Sequence, residues 1–118
     1  MFINFTNHNS KQWSDTQKAE AARYGDIFDF PFPNVPPNYS SDEVNSMADD
    51  YTAQIMNMYP DAVMCQGEFT LTFAVVTRLK ANGVPTLVAC TERKLSEVAE
   101  NGATQKVVTV EFVQFREY

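Results

Sequence analysis

The sequence has few basic residues, and this shortage limits the partners that the protein can bind. Lys and Arg number 9 against 15 Asp and Glu, which gives a net charge of −6. Sequence-independent binding of long nucleic acid depends on neutralising many phosphates. The composition therefore argues against long nucleic acid as a partner, whereas a small anionic ligand held mainly by backbone amides is compatible with it.

Cysteines and long apolar runs are also scarce. Cys65 and Cys90 lie in apolar, strand-like segments, which favours buried free thiols in a reducing compartment over a disulfide, a zinc site or a catalytic cysteine. No run approaches the roughly 18 apolar residues of a membrane span, and the N-terminus has no basic region followed by an apolar core. We therefore expect a cytoplasmic protein without signal peptide, membrane contact, metal or cofactor.

The order of short apolar runs and helical patterns predicts the fold class. At 118 residues with 44% hydrophobic residues, the chain suits one domain, 1–118, with a real core. Strands are predicted at 2–5, 26–32, 62–65, 86–90 and 106–115, and helices after the capping-box serines Ser14 and Ser40 and over 69–79. This alternation is typical of an α/β, Rossmann-like, three-layer domain with a mainly parallel sheet in the order 2-1-3-4.

The C-terminal third leaves one alternative open. Residues 93–101 fit either a short helix or the first arm of an antiparallel hairpin. The Asn101-Gly102 pair before a β-branched run is a known two-residue hairpin signal. The hairpin is the favoured interpretation, and its second strand would form an edge of the sheet.

A glycine turn between the third strand and the third helix is the first candidate site. In Gln66-Gly67-Glu68-Phe69-Thr70, glycine would let a ligand approach the backbone, and the first N–H groups of the helix would present donors to a phosphate. Neither a GxGxxG nor a Walker sequence is present, which argues against dinucleotide binding or ATP hydrolysis. Glu68 either complements the helix dipole or contacts a ribose hydroxyl or acts as a base.

A polar loop after the first strand is the second candidate site. It contains Thr6, Asn7, His8, Asn9, Ser10 and Trp13, including the only His and the only Trp of the chain. These side chains offer donors for phosphate or sugar and an aromatic face for a base. In the order 2-1-3-4 both loops lie at the switch point where ligands bind, flanked by Thr91-Glu92-Arg93 after strand four. The alternative is a solvated loop with Trp13 packed under the edge of the sheet.

The chain resembles a small stand-alone member of the CRISPR-associated Rossmann fold (CARF) superfamily, in its ring-nuclease group. The resemblance spans nearly the whole sequence and is carried by these segments: Asn4-Phe5-Thr6-Asn7-His8 with Trp13 and Gln17, Phe30-Pro31-Phe32-Pro33, Cys65-Gln66-Gly67-Glu68-Phe69-Thr70, Ala89-Cys90-Thr91-Glu92-Arg93, and Phe112-Val113-Gln114-Phe115-Arg116-Glu117-Tyr118.

The resemblance implies that the protein binds a cyclic oligoadenylate second messenger of antiviral defence, with four adenylates, across the two-fold axis of a homodimer or within a longer assembly. Asn7 to Ser10 would contact the ligand, and Gln66, Gly67, Glu68 and Thr70 would form the phosphate turn. The chain departs from the family in having few Lys and Arg at these loops. Sequestration of the messenger is therefore favoured over metal-independent cleavage, for which His8 would be the acid or base and Arg93 the charge stabiliser.

A third hypothesis belongs to a different class. The chain would be a structural or regulatory module without a nucleotide ligand, and the aromatic and β-branched strand at 107–115 would serve as an oligomer interface, because an edge strand exposes unpaired backbone groups.

Overall fold

The computed structural model describes all residues from 1 to 118 as an α/β fold. Five strands, three α-helices and one 3₁₀ turn follow in the order β1 (Phe2–Phe5), the 3₁₀ turn (Ser10–Gln12), α1 (Asp15–Ala22), β2 (Ile27–Asp29), α2 (Ser41–Met56), β3 (Ala62–Cys65), α3 (Phe69–Ala81), β4 (Thr86–Glu100) and β5 (Ala103–Glu117). None of the helices is both long and apolar enough to cross a membrane.

The five strands form one mixed sheet. Its order is β2-β1-β3-β4-β5, with the first four strands parallel and β5 antiparallel to β4. The predicted order 2-1-3-4 is confirmed. Strand two is shorter than the predicted 26–32: the N–H groups of Phe30 and Phe32 still donate to β1 and its loop, but Pro31 and Pro33 have no N–H and the regular ladder ends at Asp29.

Helices cover both faces of the sheet. Ile3 and Phe5 of β1 share a core with α2 and α3, whereas Phe2 shares a second core with Trp13 and α1. Successive side chains of a strand point to opposite faces, so the fully buried run Phe2–Phe5 supplies both cores. This agrees with the continuous apolar strands expected of a sheet that is covered on both sides.

The predicted helix starts are confirmed. Ser40 Oγ accepts a hydrogen bond from Glu43 N, and the Glu43 carboxylate accepts one from Ser40 N, which completes a capping box. Ser14 Oγ accepts from Gln17 N at the start of α1. These bonds satisfy backbone donors that have no partner within the helix.

Strands β4 and β5 continue far beyond the rest of the sheet. Only Thr86 and Leu87 of β4 pair with β3, and the hairpin formed by 91–112, here called the arm, pairs only with itself. Asn101 (φ 51°) and Gly102 (φ 77°) form its turn, as expected for a type I′ hairpin. The hairpin prediction is confirmed. The prediction that Thr91-Glu92-Arg93 leaves strand four as a loop is wrong, because β4 runs through it with only a register shift between Cys90 and Thr91.

Tyr118 ties the end of the hairpin to the central strand. Its hydroxyl donates a 2.6 Å hydrogen bond to the carbonyl of Cys65. Burial, with a contribution from Cys65, raises the pKa of Tyr118 from 10.0 to about 12. A raised pKa means that folding favours the protonated phenol, so this stabilisation is present below pH 10 and is lost as the pH rises towards 12.

We expect Tyr118→Phe to lower the free energy of unfolding by about 1 kcal/mol at neutral pH, because one hydrogen bond is lost. The difference from the wild type should shrink between pH 10 and 12, measured by urea unfolding. Tyr59→Phe is the matched control, because Tyr59 is 86% exposed. A constant difference across this pH range would contradict the assignment.

Candidate functional site

A cleft lies at the carboxyl ends of β1 and β3, on the face of the sheet that carries α1. Its volume is about 800 Å³, within the range of small-molecule sites. Its walls come from the loop after β1, the start of α1, the ends of β3 and β4, and the base of the arm. The lining residues are Thr6, Asn7, His8, Gln12, Trp13, Ser14, Thr16, Gln17, Met64, Gln66, Ala89, Thr91, Val110, Glu111 and Phe112.

Asp29, at the end of β2, holds the loop that forms one wall of the cleft. Its carboxylate accepts hydrogen bonds from Asn4 Nδ2 (2.8 Å), Ser10 N (3.0 Å) and Ser10 Oγ (2.8 Å). Burial raises the pKa of Asp29, but the hydrogen bonds from Asn4 and Ser10 and the charge of Lys11 together bring it below its ordinary value. The carboxylate is therefore ionised and anchors the loop at neutral pH.

The backbone carbonyl of His8 is a second anchor of the same loop. It accepts hydrogen bonds from Asn4 Nδ2 at 2.9 Å and from Trp13 Nε1 at 3.2 Å. Thr6 Oγ1 donates to Asn4 Oδ1 and accepts from His8 N. These bonds fix the backbone, while the imidazole of His8 stays exposed on the wall of the cleft.

Two glutamines present free polar atoms to the cleft. Gln66 Oε1 accepts from Ala89 N at 3.0 Å, so its Nε2 retains two N–H donors. Gln17 is only 5% exposed. Its backbone N–H donates to Ser14 Oγ, but its side chain makes no hydrogen bond within the protein. Its side-chain amide lines the cleft without a partner in the protein. The buried side-chain atoms without a partner belong to Thr52 and Thr72, so the Gln17 amide is in contact with water in the cleft and offers a donor and an acceptor to a polar ligand.

The N-terminus of α1 opens onto the same cleft. Ser14, Thr16 and Gln17 of its first turn are lining residues. Gln17 N is capped by Ser14, whereas the N–H groups of Asp15 and Thr16 have no acceptor within the helix. A helix start carries a partial positive charge that favours an anion. Asp15 in this first turn and Glu111 on the lining oppose it, and no Lys or Arg lines the cleft.

The comparisons place the chain in a family. The model of the family described as "Uncharacterized protein MJ1673 family" matches residues 1–116. The chain belongs to the MJ1673 family. A search of curated proteins finds no match.

The cleft of this MJ1673 family member brings together about half of the residues predicted for the site. Those lining it are Thr6, Asn7, His8, Trp13, Gln66 and Thr91. Trp13 is 4% exposed and packs edge-on against Phe2. Its ring therefore belongs mainly to the core, as the alternative interpretation of this loop expected, and it presents only part of its surface to a ligand.

At the glycine turn, the first amides of α3 are bound within the chain, which is the helix-start role predicted as one alternative for Glu68. The Glu68 carboxylate accepts hydrogen bonds from Thr70 N, Leu71 N and Thr70 Oγ1, so it occupies the position a phosphate would take. These bonds, led by the one from Leu71 N, lower the pKa of Glu68. A Cβ on Gly67 would overlap the ring of Phe32, so glycine serves the packing of Phe32 at this turn.

The remaining predicted residues lie outside the cleft. Ser10 is bound to Asp29, and Asn9 Oδ1 accepts from Lys11 N at the start of the 3₁₀ turn. Phe69, the first residue of α3, is 90% exposed, and Arg93 lies on the arm. Arg93 pairs with Val110 on the face of the arm that leads to the cleft, but it is not among the residues that line the cleft.

Four cleft residues that the sequence did not single out as ligand contacts belong to the start of α1 and the turn before it: Gln12, Ser14, Thr16 and Gln17. The capping residue Ser14 predicts where α1 starts, but the orientation of this helix start towards the cleft depends on the tertiary fold. No group of three or more His, Cys, Asp or Glu side chains could hold a metal ion. Both cysteines are free, and burial raises the pKa of Cys65 to about 12, which disfavours the thiolate.

Proposed function

We propose that the cleft binds a cyclic oligoadenylate, with cyclic tetra-adenylate as the ligand, and that the protein acts in type III CRISPR signalling by sequestering this messenger. The side-chain amide of Gln17 carries the proposal, because it lines the cleft, makes no hydrogen bond within the protein and therefore offers a donor and an acceptor to a ligand. The fold order and the CARF resemblance support a Rossmann-like site at the ends of β1 and β3, where such sheets bind ligands.

The amide side chains of the cleft suit adenine. Asn7, Gln12, Gln17 and Gln66 all line it, and each amide offers a donor and an acceptor side by side. The N6 amino group and N7 of adenine present the complementary pair, which Asn and Gln recognise in protein–nucleic acid complexes. A cluster of four amides in a cleft with almost no charge therefore favours adenine over a ligand recognised by ion pairs.

The phosphates of the ring would face the start of α1. The free N–H groups there and the hydroxyls of Ser14 and Thr16 are neutral donors that can contact phosphate oxygens. The net charge of −6 repels the many phosphates of a long nucleic acid. The repulsion is smaller for a short cyclic ligand, which has few phosphates.

Cleavage of the ring is the second candidate function, favoured by the exposed imidazole of His8 on the cleft wall. In-line attack by a ribose hydroxyl needs stabilisation of the charge that develops on the phosphate. Arg93, the predicted stabiliser, lies outside the cleft lining. Binding without efficient turnover is therefore the function that the geometry supports best.

Gln17→Leu tests the binding proposal. We expect the affinity for labelled cyclic tetra-adenylate, measured by gel shift, to fall about tenfold because one hydrogen bond to the ligand is lost. The free energy of unfolding should stay nearly equal, because the side-chain amide of Gln17 makes no hydrogen bond within the protein. Gln54→Leu, at an exposed position on α2, is the matched control and should leave both quantities unchanged.

The same titration separates the candidates. Protein in excess over the ring, with EDTA present, should return intact ring after hours, and a linear product that disappears in His8→Ala would establish cleavage. The absence of a mobility shift at micromolar protein would contradict ring binding. The hypothesis of a structural or regulatory module without a nucleotide ligand would then remain.

A further inference from the structure

The arm exposes an apolar face that the chain itself leaves uncovered. Leu95 is paired with Val108, and Arg93 with Val110, so the side chains of all four lie on one face. Leu95 is 64% and Val110 66% exposed. An isolated two-stranded hairpin is at best marginally stable in water, and a third layer or strand is needed to support it.

Charges on this face are arranged so that a second copy fits it. Arg93 and Glu97 lie two residues to either side of Leu95, on the same face. Neither forms a salt bridge within the chain, although Lys106 lies opposite Glu97 across the hairpin. Lys94, on the opposite face, pairs with Glu111 at 3.0 Å. If a two-fold axis passes through Leu95, each Arg93 meets Glu97 of the other copy.

We propose that two copies pack these apolar faces together in antiparallel fashion about a two-fold axis through Leu95, so that the turn of each arm covers the cleft of the other copy. Strands advance about 3.3 Å per residue. Thr91, on the cleft wall, is thus about 13 Å from Leu95, and the turn at Asn101 about 20 Å. The turn of the second copy reaches past Thr91 and closes the cleft.

Pairing through the outer edges of the arms is a less suitable arrangement. It would add backbone hydrogen bonds but leave Leu95, Val108 and Val110 in water and Arg93 without its partner. Face-to-face packing buries the apolar residues and joins the charges, and the same face continues into Phe112 at the cleft.

Charge reversal gives a test that depends on the symmetry. In Arg93→Glu, acidic residues meet Glu97 at both contacts, and in Glu97→Arg, basic residues meet Arg93. We expect each variant alone to raise the dimer dissociation constant roughly tenfold or more, measured by sedimentation without ligand. An equimolar mixture of the two should form a heterodimer, because both contacts are then complementary, and the double variant R93E/E97R should dimerise like the wild type.

The control Glu92→Arg, on the opposite face of the arm, should leave the dimer unchanged, and circular dichroism checks that every variant folds. A monomeric wild type at the highest soluble concentration, a fully dimeric Arg93→Glu, or a mixture that stays monomeric would overturn the packing about Leu95.

The covering of the cleft rests on the proposed function, and a separate measurement tests it. The affinity for cyclic tetra-adenylate should be lower in samples of Arg93→Glu alone or Glu97→Arg alone than in the equimolar mixture of the two variants. Ring binding that is equal in all samples would overturn the role of the second arm at the cleft. A restored dimer with no ring binding at all would retain the packing and reject the proposed ligand.

Discussion

Replacement of Phe5 by Ala is expected to lower the free energy of unfolding by about 3–5 kcal/mol, the usual cost of removing a buried aromatic ring. Phe5 is 0% exposed. Its ring centroid lies 4.8 Å from that of Phe32, 5.4 Å from that of Phe30 and 5.5 Å from that of Tyr51. Loss of the ring leaves a cavity between β1, the segment 30–33 and α2.

Urea unfolding followed by tryptophan fluorescence measures this effect, because the single Trp13 lies on the opposite face of the sheet and reports global unfolding. The matched control is Phe69→Ala. Phe69 is 90% exposed, and its removal should change the free energy of unfolding by less than about 0.5 kcal/mol. A similar cost for both substitutions would contradict the assigned core.

Removal of the Asp29 carboxylate should have the second largest effect. Asp29→Ala removes the acceptor of Ser10 N, of Ser10 Oγ and of one of the two N–H groups of Asn4 Nδ2, and Asn4 is 1% exposed. We expect a loss of about 2–3 kcal/mol of stability, since donors are left unsatisfied in a partly buried network. The loop from Thr6 to Trp13 should become mobile, and ring binding should weaken with it.

The pH dependence distinguishes this network from simple packing. The pKa of Asp29 is lowered in the folded state, so the carboxylate stabilises the protein above its unfolded pKa of about 4, and this contribution is lost as the pH falls further. Wild type and Asp29→Ala should therefore converge in stability below pH 4.

Asp29→Asn should recover part of the loss at neutral pH, because one amide oxygen can still accept a hydrogen bond from Asn4 or Ser10. Asp26→Ala, at an exposed position just before β2, should have little effect. An unchanged gap between wild type and Asp29→Ala at acid pH would argue against the ionised carboxylate as the anchor.

The sheet could be predicted because its signals are local. The apolar runs 2–5 and 62–65 are short and uninterrupted, and the capping serines mark the helix starts, so alternation and right-handed crossovers leave few topologies. The length of β4 was not predictable in the same way. Beyond Cys90 both faces of the strand are exposed, so the alternation that identifies a half-buried strand is replaced by charged residues.

Only part of the candidate site could be predicted from the sequence, because some of its residues are placed by local signals and others only by the tertiary fold. His8 follows β1 directly, so the switch-point rule places it at the cleft from sequence alone. Gln17 lies within a helix, where its periodicity is that of a buried position, and only the tertiary fold aligns its amide with the cleft. At Glu68 the structure agrees with the first of the two predicted roles, because its carboxylate binds the amides of its own helix.

The contrast between the parallel strands and the hairpin also has a consequence for the time course of folding. Phe2 pairs with Ala62 across sixty positions of chain, and such non-local pairings form slowly. The Asn101-Gly102 hairpin is local, and hairpins form in about 1–10 μs. Its strands therefore meet repeatedly before the central sheet exists. During this interval the newly made chain exposes valines without a core, and the acidic and basic residues interspersed among them oppose aggregation.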